Sequence, residues 1–358
     1  MVGRDFFVFI DGTGCDREHR SNVLRLCEAF ESHEENNPDL HVLYVRGVDQ
    51  YVAMPLIEGA MALGLKRQLV DVCDRLVDKK IDRSDRIHIV GYSRGAVAAM
   101  ILAQALSNGS ARSKLIKDQN LKHPLSAKVE FLGLFDPVVG YVHKFRRFFE
   151  NLEYKPSIEP EISSYAEILA LDERRPLFPA RSAIRTFESF MRKRDKYPEA
   201  RPLQVAPRSK AAVSEDEIDF LRQHAKLSRL PRYFVLMPGA HGEVGGQGGD
   251  ELLKNSSISR MMTFLAAHSP KAAQLGLAQT FPRPNGLDHS EVQVGRGTSR
   301  LGKLGNFRRR RFPKNDNYLV DDLADGLTGR TGVNGHIFFS RFRKYTLPKT
   351  VASSKRLK

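Results

Sequence analysis

Long apolar segments are scarce in this chain of 358 residues. The longest, around Gly95 to Leu106, is too short to span a bilayer, because a transmembrane helix needs about 20 apolar residues. Near the N-terminus only Phe6 to Ile10 is apolar, and Asp5 and Asp11 bracket it, so we expect no secretory signal. The chain is nevertheless 41% hydrophobic and 9% aromatic, which excludes a wholly disordered protein and predicts a substantial core.

Cysteine is scarce too. Cys15, Cys27 and Cys73 are an odd number and lie in the first quarter of the chain. We therefore expect no disulfide framework, and synthesis in a reducing compartment, the cytoplasm. The chain has no Cys-x-x-Cys pair, and the glycine-rich run from Gly242 to Gly249 has no Gly-Lys-Ser or Gly-Lys-Thr sequence. We expect neither a metal nor a nucleotide cofactor.

Carboxylates are missing from one basic segment. Between Val292 and Asn315 every charged residue is basic: Arg296, Arg300, Lys303, Arg308, Arg309, Arg310, Arg311 and Lys314. The whole chain has 57 Lys and Arg against 42 Asp and Glu, a net charge of +15. Such a charge favours polyanions or anionic membrane surfaces, and composition alone does not choose between nucleic acid and lipid.

Strand-like and helix-like segments alternate in the first third of the chain. We predict strands at Asp5 to Ile10, His41 to Val45, Arg86 to Val90, Lys128 to Phe135 and, after an interruption, Arg232 to Met237. We predict helices at Ser21 to Glu31, Glu58 to Lys80, Ala96 to Leu106 and Leu252 to Ala267. This alternation predicts an α/β fold with a mostly parallel sheet and helices on both faces.

The interruption divides the chain into four parts. Residues 1–140 are predicted to form the first part of the core and residues 231–270 its last part. Residues 141–230 are rich in Arg, Lys, Pro and Phe and lack clear strands, so we interpret them as a mostly helical cap or lid. Residues 271–358 are predicted to be a basic, irregular C-terminal region. Basic amphipathic segments in the cap suit an anionic membrane surface, although a lid helix with a solvated basic face explains them as well.

Gly91-Tyr92-Ser93-Arg94-Gly95 follows a predicted strand and opens a predicted helix. This is the Gly-x-Ser-x-Gly nucleophile elbow in its expected context, an α/β-hydrolase-like sheet. Ser93 needs a sharp turn to present its hydroxyl, and residues two before and two after it have almost no room for a side chain. The sequence therefore predicts Ser93 as a nucleophile, with the Arg94 amide at the helix N-terminus as an oxyanion donor.

A nucleophilic serine needs a histidine base and an acid that orients the base, in the chain order Ser, Asp or Glu, His. Asp136 ends the fourth predicted strand, and His241 follows the last one. Both should lie at the carboxyl edge of the sheet with Ser93. Asp136 as a turn cap and His241 as an ordinary loop histidine are the structural alternatives. The loop Asp11-Gly12-Thr13-Gly14 ends the first strand, so the second oxyanion donor is predicted to be the amide of Gly12 or Thr13, unless this is a plain Asp-Gly turn.

Five segments in order resemble a known family. They are Phe9 to Gly14, Gly91 to Ala96, Phe135 to Gly140, Leu171 to Arg175 and His241 to Gly246. Together they resemble the α/β-hydrolase family of the first class of type VI secretion lipase effectors. The resemblance implies a Ser–Asp–His hydrolase of acyl esters, with phospholipid as substrate, and Ser93, Asp136 and His241 match the triad positions. It also implies delivery to another cell without a signal peptide.

The chain departs from that family at three points. Pro137 stands where Thr or Ser is common, Glu243 replaces the usual Asp after the histidine, and the segment between acid and histidine is long. We assign no catalytic role to Asp172-Glu173-Arg174-Arg175, which we interpret as a structural ion-pair turn. The role of Glu243, the substrate head group, the oligomeric state and any immunity or secretion partner stay open.

The sequence thus predicts a serine hydrolase of acyl esters, of the phospholipase or lipase-like type. Two alternatives stay open: an intracellular carboxylesterase of small substrates, and a non-catalytic hydrolase scaffold that binds polyanions through its basic C-terminal region. Nucleic acid is the less favoured partner, because the sequence contains no helix-turn-helix, RNA-recognition or zinc-finger pattern.

Overall fold

A computed structural model describes residues 3–48, 58–107, 127–138, 162–170, 173, 232–237, 239–249, 251–281 and 318–320. Its strands are β1 (Asp5–Ile10), β2 (Leu40–Val45), β3 (Arg86–Tyr92), β4 (Lys128–Phe135), β5 (Ser164–Ala170), β6 (Arg232–Met237) and β7 (Tyr318–Val320). The helices are α1 (Asn22–Glu34), α2 (Glu58–Asp78), α3 (Arg94–Ser107), α4 (His241–Gly245), α5 (Glu251–His268), α6 (Pro270–Gln274) and α7 (Leu277–Thr280).

The described strands form one parallel sheet in the order β2-β1-β3-β4-β5-β6-β7. All six residues of β1 are buried, as expected for a strand covered on both faces. Phe6, Val8 and Ile10 pack in one core with α2 and α3, whereas Phe7 and Phe9 pack in a second core with α1 and α5. The predicted α/β class is therefore confirmed, with helices on both faces of the sheet.

An ion-pair cluster joins β1 to β3 at the amino end of the sheet. The buried Asp5 carboxylate accepts hydrogen bonds from His88 Nε2 at 3.0 Å and from Arg86 Nε at 3.0 Å. Burial would raise the pKa of Asp5, but these two partners outweigh it and hold that pKa below its ordinary value. A buried carboxylate is thus kept charged far from the carboxyl edge, where the candidate site lies.

The prediction that residues 141–230 lack strands is wrong at one place. Ser164–Ala170 form β5, which pairs with β4 on one side and β6 on the other, in the middle of the sheet. The strand predicted as the fifth, Arg232–Met237, is consequently the sixth. The sequence of β5 does not alternate and contains Glu167, so its apolar pattern is weak; the neighbouring strands supply the hydrogen bonds that fix it. The rest of the predicted cap lies outside the described residues.

The C-terminal region contains more regular structure than predicted. The short helices α6 and α7 follow α5, and β7 adds to the sheet beside β6. The term "irregular" is therefore wrong for these parts of residues 271–358, while the basic run between Val292 and Asn315 lies outside the described residues. Within the described part of the chain, no helix combines the length and apolar character needed to cross a bilayer.

Candidate active site

Ser93 lies in the turn between β3 and α3, in the strand–turn–helix context that the sequence predicts. Its φ of 57° is in the left-handed region, which is strained for a residue with a side chain. Two glycines make the turn sterically possible. A Cβ on Gly91 would lie 2.6 Å from the Gly95 carbonyl oxygen, and a Cβ on Gly95 would lie 2.3 Å from the Ile10 carbonyl oxygen. The helix can therefore approach the sheet closely only with glycine at both positions.

The structure brings the three predicted side chains together. His241 Nε2 lies 2.8 Å from Ser93 Oγ, and His241 Nδ1 lies 2.6 Å from Asp136 Oδ2. Asp136 is fully buried, whereas Ser93 and His241 keep 6% and 5% of their surface exposed. The imidazole thus bridges a hydroxyl and a carboxylate, which is the geometry that general-base activation of a serine requires.

Asp136 depends on the strand that the sequence did not reveal. Its backbone amide donates to the Ile168 carbonyl at 2.8 Å, and its Oδ1 accepts from the Ala170 amide at 3.0 Å. Both partners belong to β5. Asp136 has a left-handed φ of 41°, so the backbone turns sharply where β4 ends. Because Oδ1 is held by β5, Oδ2 is left to face His241.

His241 is the first residue of α4, and polar contacts fix its backbone on both sides. Its amide donates to Glu173 Oε2 at 3.1 Å, and its carbonyl accepts from the Tyr92 hydroxyl at 3.1 Å. Glu173 is fully buried, so its contact with the histidine is shielded from water. The sequence predicts for Glu173 only a place in a structural ion-pair turn. Glu173 and His241 are 68 positions apart, so no local sequence pattern predicts their contact.

Glu243 holds the turn that precedes the helix. Its Oε2 accepts a hydrogen bond from the Ala240 amide at 2.8 Å, and the side chain is largely buried. A Cβ on Gly248 would lie 2.7 Å from Glu243 Oε1, so the glycine-rich segment packs closely on this carboxylate. The Glu243 side chain therefore stabilises the turn that leads into His241.

The loop after β1 borders Ser93. A Cβ on Gly12 would lie 2.9 Å from Ser93 Cβ, so only glycine fits at this contact. The Gly12 amide, however, donates to Asp11 Oδ1 at 2.8 Å. The other Asp11 oxygen accepts from the hydroxyls of Ser21 and Tyr44. Burial raises the pKa of Asp11 to about 6, against the opposing effect of these donors.

The arrangement distinguishes the predicted oxyanion donors. Arg94 is the first residue of α3, so its amide has no acceptor one turn earlier in that helix. The Gly12 amide already has an acceptor, whereas Thr13 follows it in the same loop. Within the described part of the chain, no group of three or more His, Cys, Asp or Glu residues could hold a metal ion.

Residues 4–112 match the catalytic domain of the Tle1-like phospholipase effectors of type VI secretion. The family resemblance is confirmed. The match includes Ser93, Arg94, Gly12 and Thr13, but it ends before Asp136 and His241. It supports a hydrolase of the lipase or phospholipase type. No curated protein matches the chain.

Three solved structures are similar at 16% sequence identity. An uncharacterized protein from Pseudomonas aeruginosa has a TM-score of 0.39, over 77% of this chain and 48% of that one. The Tle1 effector bound to the VgrG spike of the type VI secretion system has a TM-score of 0.33, over 68% of this chain and 51% of that one. A YdeN-like hydrolase from Pectobacterium atrosepticum has a TM-score of 0.27, over 51% and 70%. This chain thus spans about half the length of the first two.

Proposed function

We propose that the protein is a serine hydrolase of acyl esters in which Ser93, His241 and Asp136 form a catalytic triad. The observation that carries the proposal is the hydrogen-bonded series from Ser93 Oγ through the imidazole to Asp136 Oδ2, with distances of 2.8 and 2.6 Å. These residues come from three separate turns at the carboxyl edge of one parallel sheet, where ligands bind in open α/β folds.

In the first step Ser93 Oγ attacks the ester carbonyl carbon while His241 Nε2 takes the hydroxyl proton. Asp136 accepts the hydrogen bond from Nδ1–H, orients the ring and stabilises the imidazolium. The protonated ring then gives its proton to the departing alcohol oxygen, and an acyl-serine remains. In the second step water loses a proton to His241 and attacks the acyl carbon; Ser93 leaves with the proton and the fatty acid is released.

Negative charge on the carbonyl oxygen is bound by backbone amides in this proposal. The Arg94 amide at the start of α3 is the first donor, supported by the positive end of the helix dipole. The Thr13 amide is the second, because the Gly12 amide is directed to Asp11. In related serine hydrolases, loss of one such donor costs about 100- to 1,000-fold in turnover.

Phospholipid is the proposed substrate class. The family match to phospholipase effectors supports it, and the net charge of +15 favours the surface of an anionic bilayer. For the location, we propose that the protein is delivered into another cell by the secretion machinery. An intracellular carboxylesterase of small substrates would share the triad and would differ in hydrolysing soluble short-chain esters better than bilayer lipid.

A fluorescent fluorophosphonate tests the triad directly, because it labels only an activated serine. We expect the wild-type protein to be labelled and to hydrolyse phospholipid vesicles. Ser93→Ala should lose labelling and at least about 1,000-fold in turnover while it keeps its fold. Ser32→Ala is the matched control, since that hydroxyl is exposed on α1 and, among the residues that the structure describes, bonds only to the Ala29 carbonyl.

Labelling that persists in folded Ser93→Ala would contradict the assignment of the nucleophile. The other outcome is a wild type that is folded but not labelled, either in solution or with vesicles or detergent. That result would contradict the proposed enzymatic activity and favour a hydrolase scaffold that only binds. Circular dichroism of each variant establishes that the comparison is made between folded proteins.

A further inference from the structure

Tyr92 stands directly before Ser93, at a position that the Gly-x-Ser-x-Gly pattern leaves unspecified. It is the last residue of β3, and only 2% of its surface is exposed. The side chain belongs to the core formed with α1 and α5. The proposed triad assigns this buried aromatic ring no task, although it lies next to the nucleophile in the chain.

The ring of Tyr92 contacts two other segments of the site. A Cβ on Gly245, in α4, would lie 2.0 Å from Tyr92 Cζ, so the helix approaches the ring this closely only with glycine there. A Cβ on Gly12, in the loop after β1, would lie 3.0 Å from Tyr92 Cδ1. Because α4 begins with His241, one side chain joins the nucleophile turn, the histidine helix and the loop proposed to bind the oxyanion.

Tyr92 touches His241 at two points. Its hydroxyl donates a hydrogen bond to the His241 carbonyl oxygen at 3.1 Å. The centroids of the two rings are 4.8 Å apart, and their planes are inclined by 30°. Rings that met edge to edge in one plane would have centroids farther apart than this, so the imidazole lies over the face of the phenol ring. The hydroxyl therefore holds the main chain of the histidine, and the ring holds its imidazole.

The position of the ring matters because His241 becomes a cation during the proposed reaction. The face of an aromatic ring attracts a cation within about 6 Å of its centroid, so Tyr92 favours the imidazolium over the neutral imidazole. The carboxyl groups of Asp136, Glu173 and Glu243 surround the same histidine, at Nδ1, at its amide and at the preceding turn. Their negative charge acts in the same direction. Replacing Tyr92 leaves these groups in the protein, so the contribution of the ring can be measured by itself.

We propose that Tyr92 is a positioning residue for the base: its hydroxyl fixes the start of α4, and its ring stabilises the imidazolium of His241. This assignment rests on the proposed hydrolase function and adds a residue that acts through the histidine rather than on the substrate. The two contributions are separable. Phenylalanine keeps the ring without the hydroxyl, and leucine removes both while it fills part of the space with apolar atoms.

The kinetics of Tyr92→Phe and Tyr92→Leu test the two contributions. With phospholipid dispersed in detergent micelles, we expect Tyr92→Phe to lower kcat about 3- to 10-fold, the effect of one lost hydrogen bond. Tyr92→Leu should lower kcat about 100-fold, since a displaced imidazole meets Ser93 poorly. KM should change little in either variant, because the proposed role is exerted on the histidine and not on the substrate.

The pH dependence is the readout that a purely structural tyrosine would not change. The midpoint of the acid limb of kcat/KM reports the pKa of the base in the free enzyme. A ring that favours the imidazolium raises that pKa, so Tyr92→Leu should move the midpoint about half a pH unit lower. Tyr92→Phe keeps the ring and should leave the midpoint where it is in the wild type.

Tyr233 offers a matched control in the same core. It is fully buried, its hydroxyl lies 2.6 Å from His268 Nε2, and its ring centroid lies 5.4 Å from that of His268. Tyr233→Phe and Tyr233→Leu thus remove the same groups beside a histidine outside the candidate site. We expect them to lower the unfolding temperature about as much as the Tyr92 variants do, with kcat and the acid limb unchanged.

Histidine NMR measures the same pKa without turnover. In a Ser93→Ala background, the resonance that disappears on His241→Gln identifies the imidazole, and its titration should move to lower pH with Tyr92→Leu but not with Tyr92→Phe. An equal titration in all three proteins, or kinetic losses that the Tyr233 variants share, would overturn the role of Tyr92 while fluorophosphonate labelling leaves the triad intact. Absence of labelling from the folded wild type would refute the hydrolase instead. A shifted titration would then show a tyrosine–histidine contact without catalytic use, and the positioning role would be refuted with the hydrolase.

Discussion

Two residues of the candidate site have strained backbone conformations. Ser93 and Asp136 both have positive φ values, 57° and 41°, although neither is glycine. Such conformations cost on the order of 1–3 kcal/mol each and persist only where surrounding contacts hold them. Here Ser93 donates its amide to the Phe135 carbonyl at 3.0 Å, and Asp136 donates to Ile168 at 2.8 Å. Strain at adjacent turns is thus held by the hydrogen bonds of the neighbouring strands.

Glu173 is expected to position His241 through its backbone amide. Glu173→Ala removes the acceptor of a buried N–H, and we expect kcat to fall about 10- to 100-fold with KM little changed, because a displaced imidazole meets Ser93 poorly. Glu173→Gln keeps a carbonyl acceptor and should restore most of kcat. The measurement is kcat per fluorophosphonate-titrated site, which removes any effect of unfolded protein. Equal values for all three proteins would show that Glu173 does not position the base.

Among the elements, β1, β3 and β4 could be predicted because apolar residues dominate each of them and a polar or glycine-containing turn follows. Ser93, Asp136 and His241 were recognisable for the same reason: each follows such a run. Ser164–Ala170 could not be predicted in this way, because Ala, Glu and Leu are also good helix formers. Pairing with β4 and β6 overrides that preference. Glu173 follows this strand closely, so its contacts could not be predicted from the sequence either.

The packing of α3 on β1 makes a prediction about glycine. A Cβ on Gly95 would lie 2.3 Å from the Ile10 carbonyl oxygen and 2.4 Å from that of Asp11. We expect Gly95→Ala to lower the free energy of unfolding by about 1–3 kcal/mol or more, and to slow fluorophosphonate labelling, because the helix must move away from the strand. Gly249→Ala is the control, since a Cβ there meets nothing within 4 Å. Thermal unfolding that does not distinguish the two variants would refute this account of the elbow.

At the scale of the whole molecule, the net charge of +15 should govern encounters with membranes. We expect vesicles rich in phosphatidylglycerol to bind the protein at low ionic strength and to release it as salt is added, since the screening length falls from about 10 Å at 0.1 M to about 3 Å at 1 M. Co-sedimentation measures the bound fraction, with phosphatidylcholine vesicles as the reference.

The basic segment of the C-terminal region can be tested separately. Replacing Arg308 to Arg311 with Gln removes four positive charges from the run without carboxylates. Reduced vesicle binding with unchanged labelling of Ser93 would assign membrane attraction to this segment. Binding that is insensitive to lipid charge in the wild type would contradict the electrostatic account.

The residues that meet at Ser93 are far apart along the chain. His241 is 148 positions from Ser93 and 105 from Asp136. During synthesis the nucleophile therefore leaves the ribosome long before its base. The strand that positions the base, β6, can join the sheet only after it has been made. A nascent or truncated chain that ends before β6 has a serine but no means of activating it. For an enzyme proposed to attack membrane lipid, the order of its residues delays activity until the histidine has been translated and β6 has paired with the rest of the sheet.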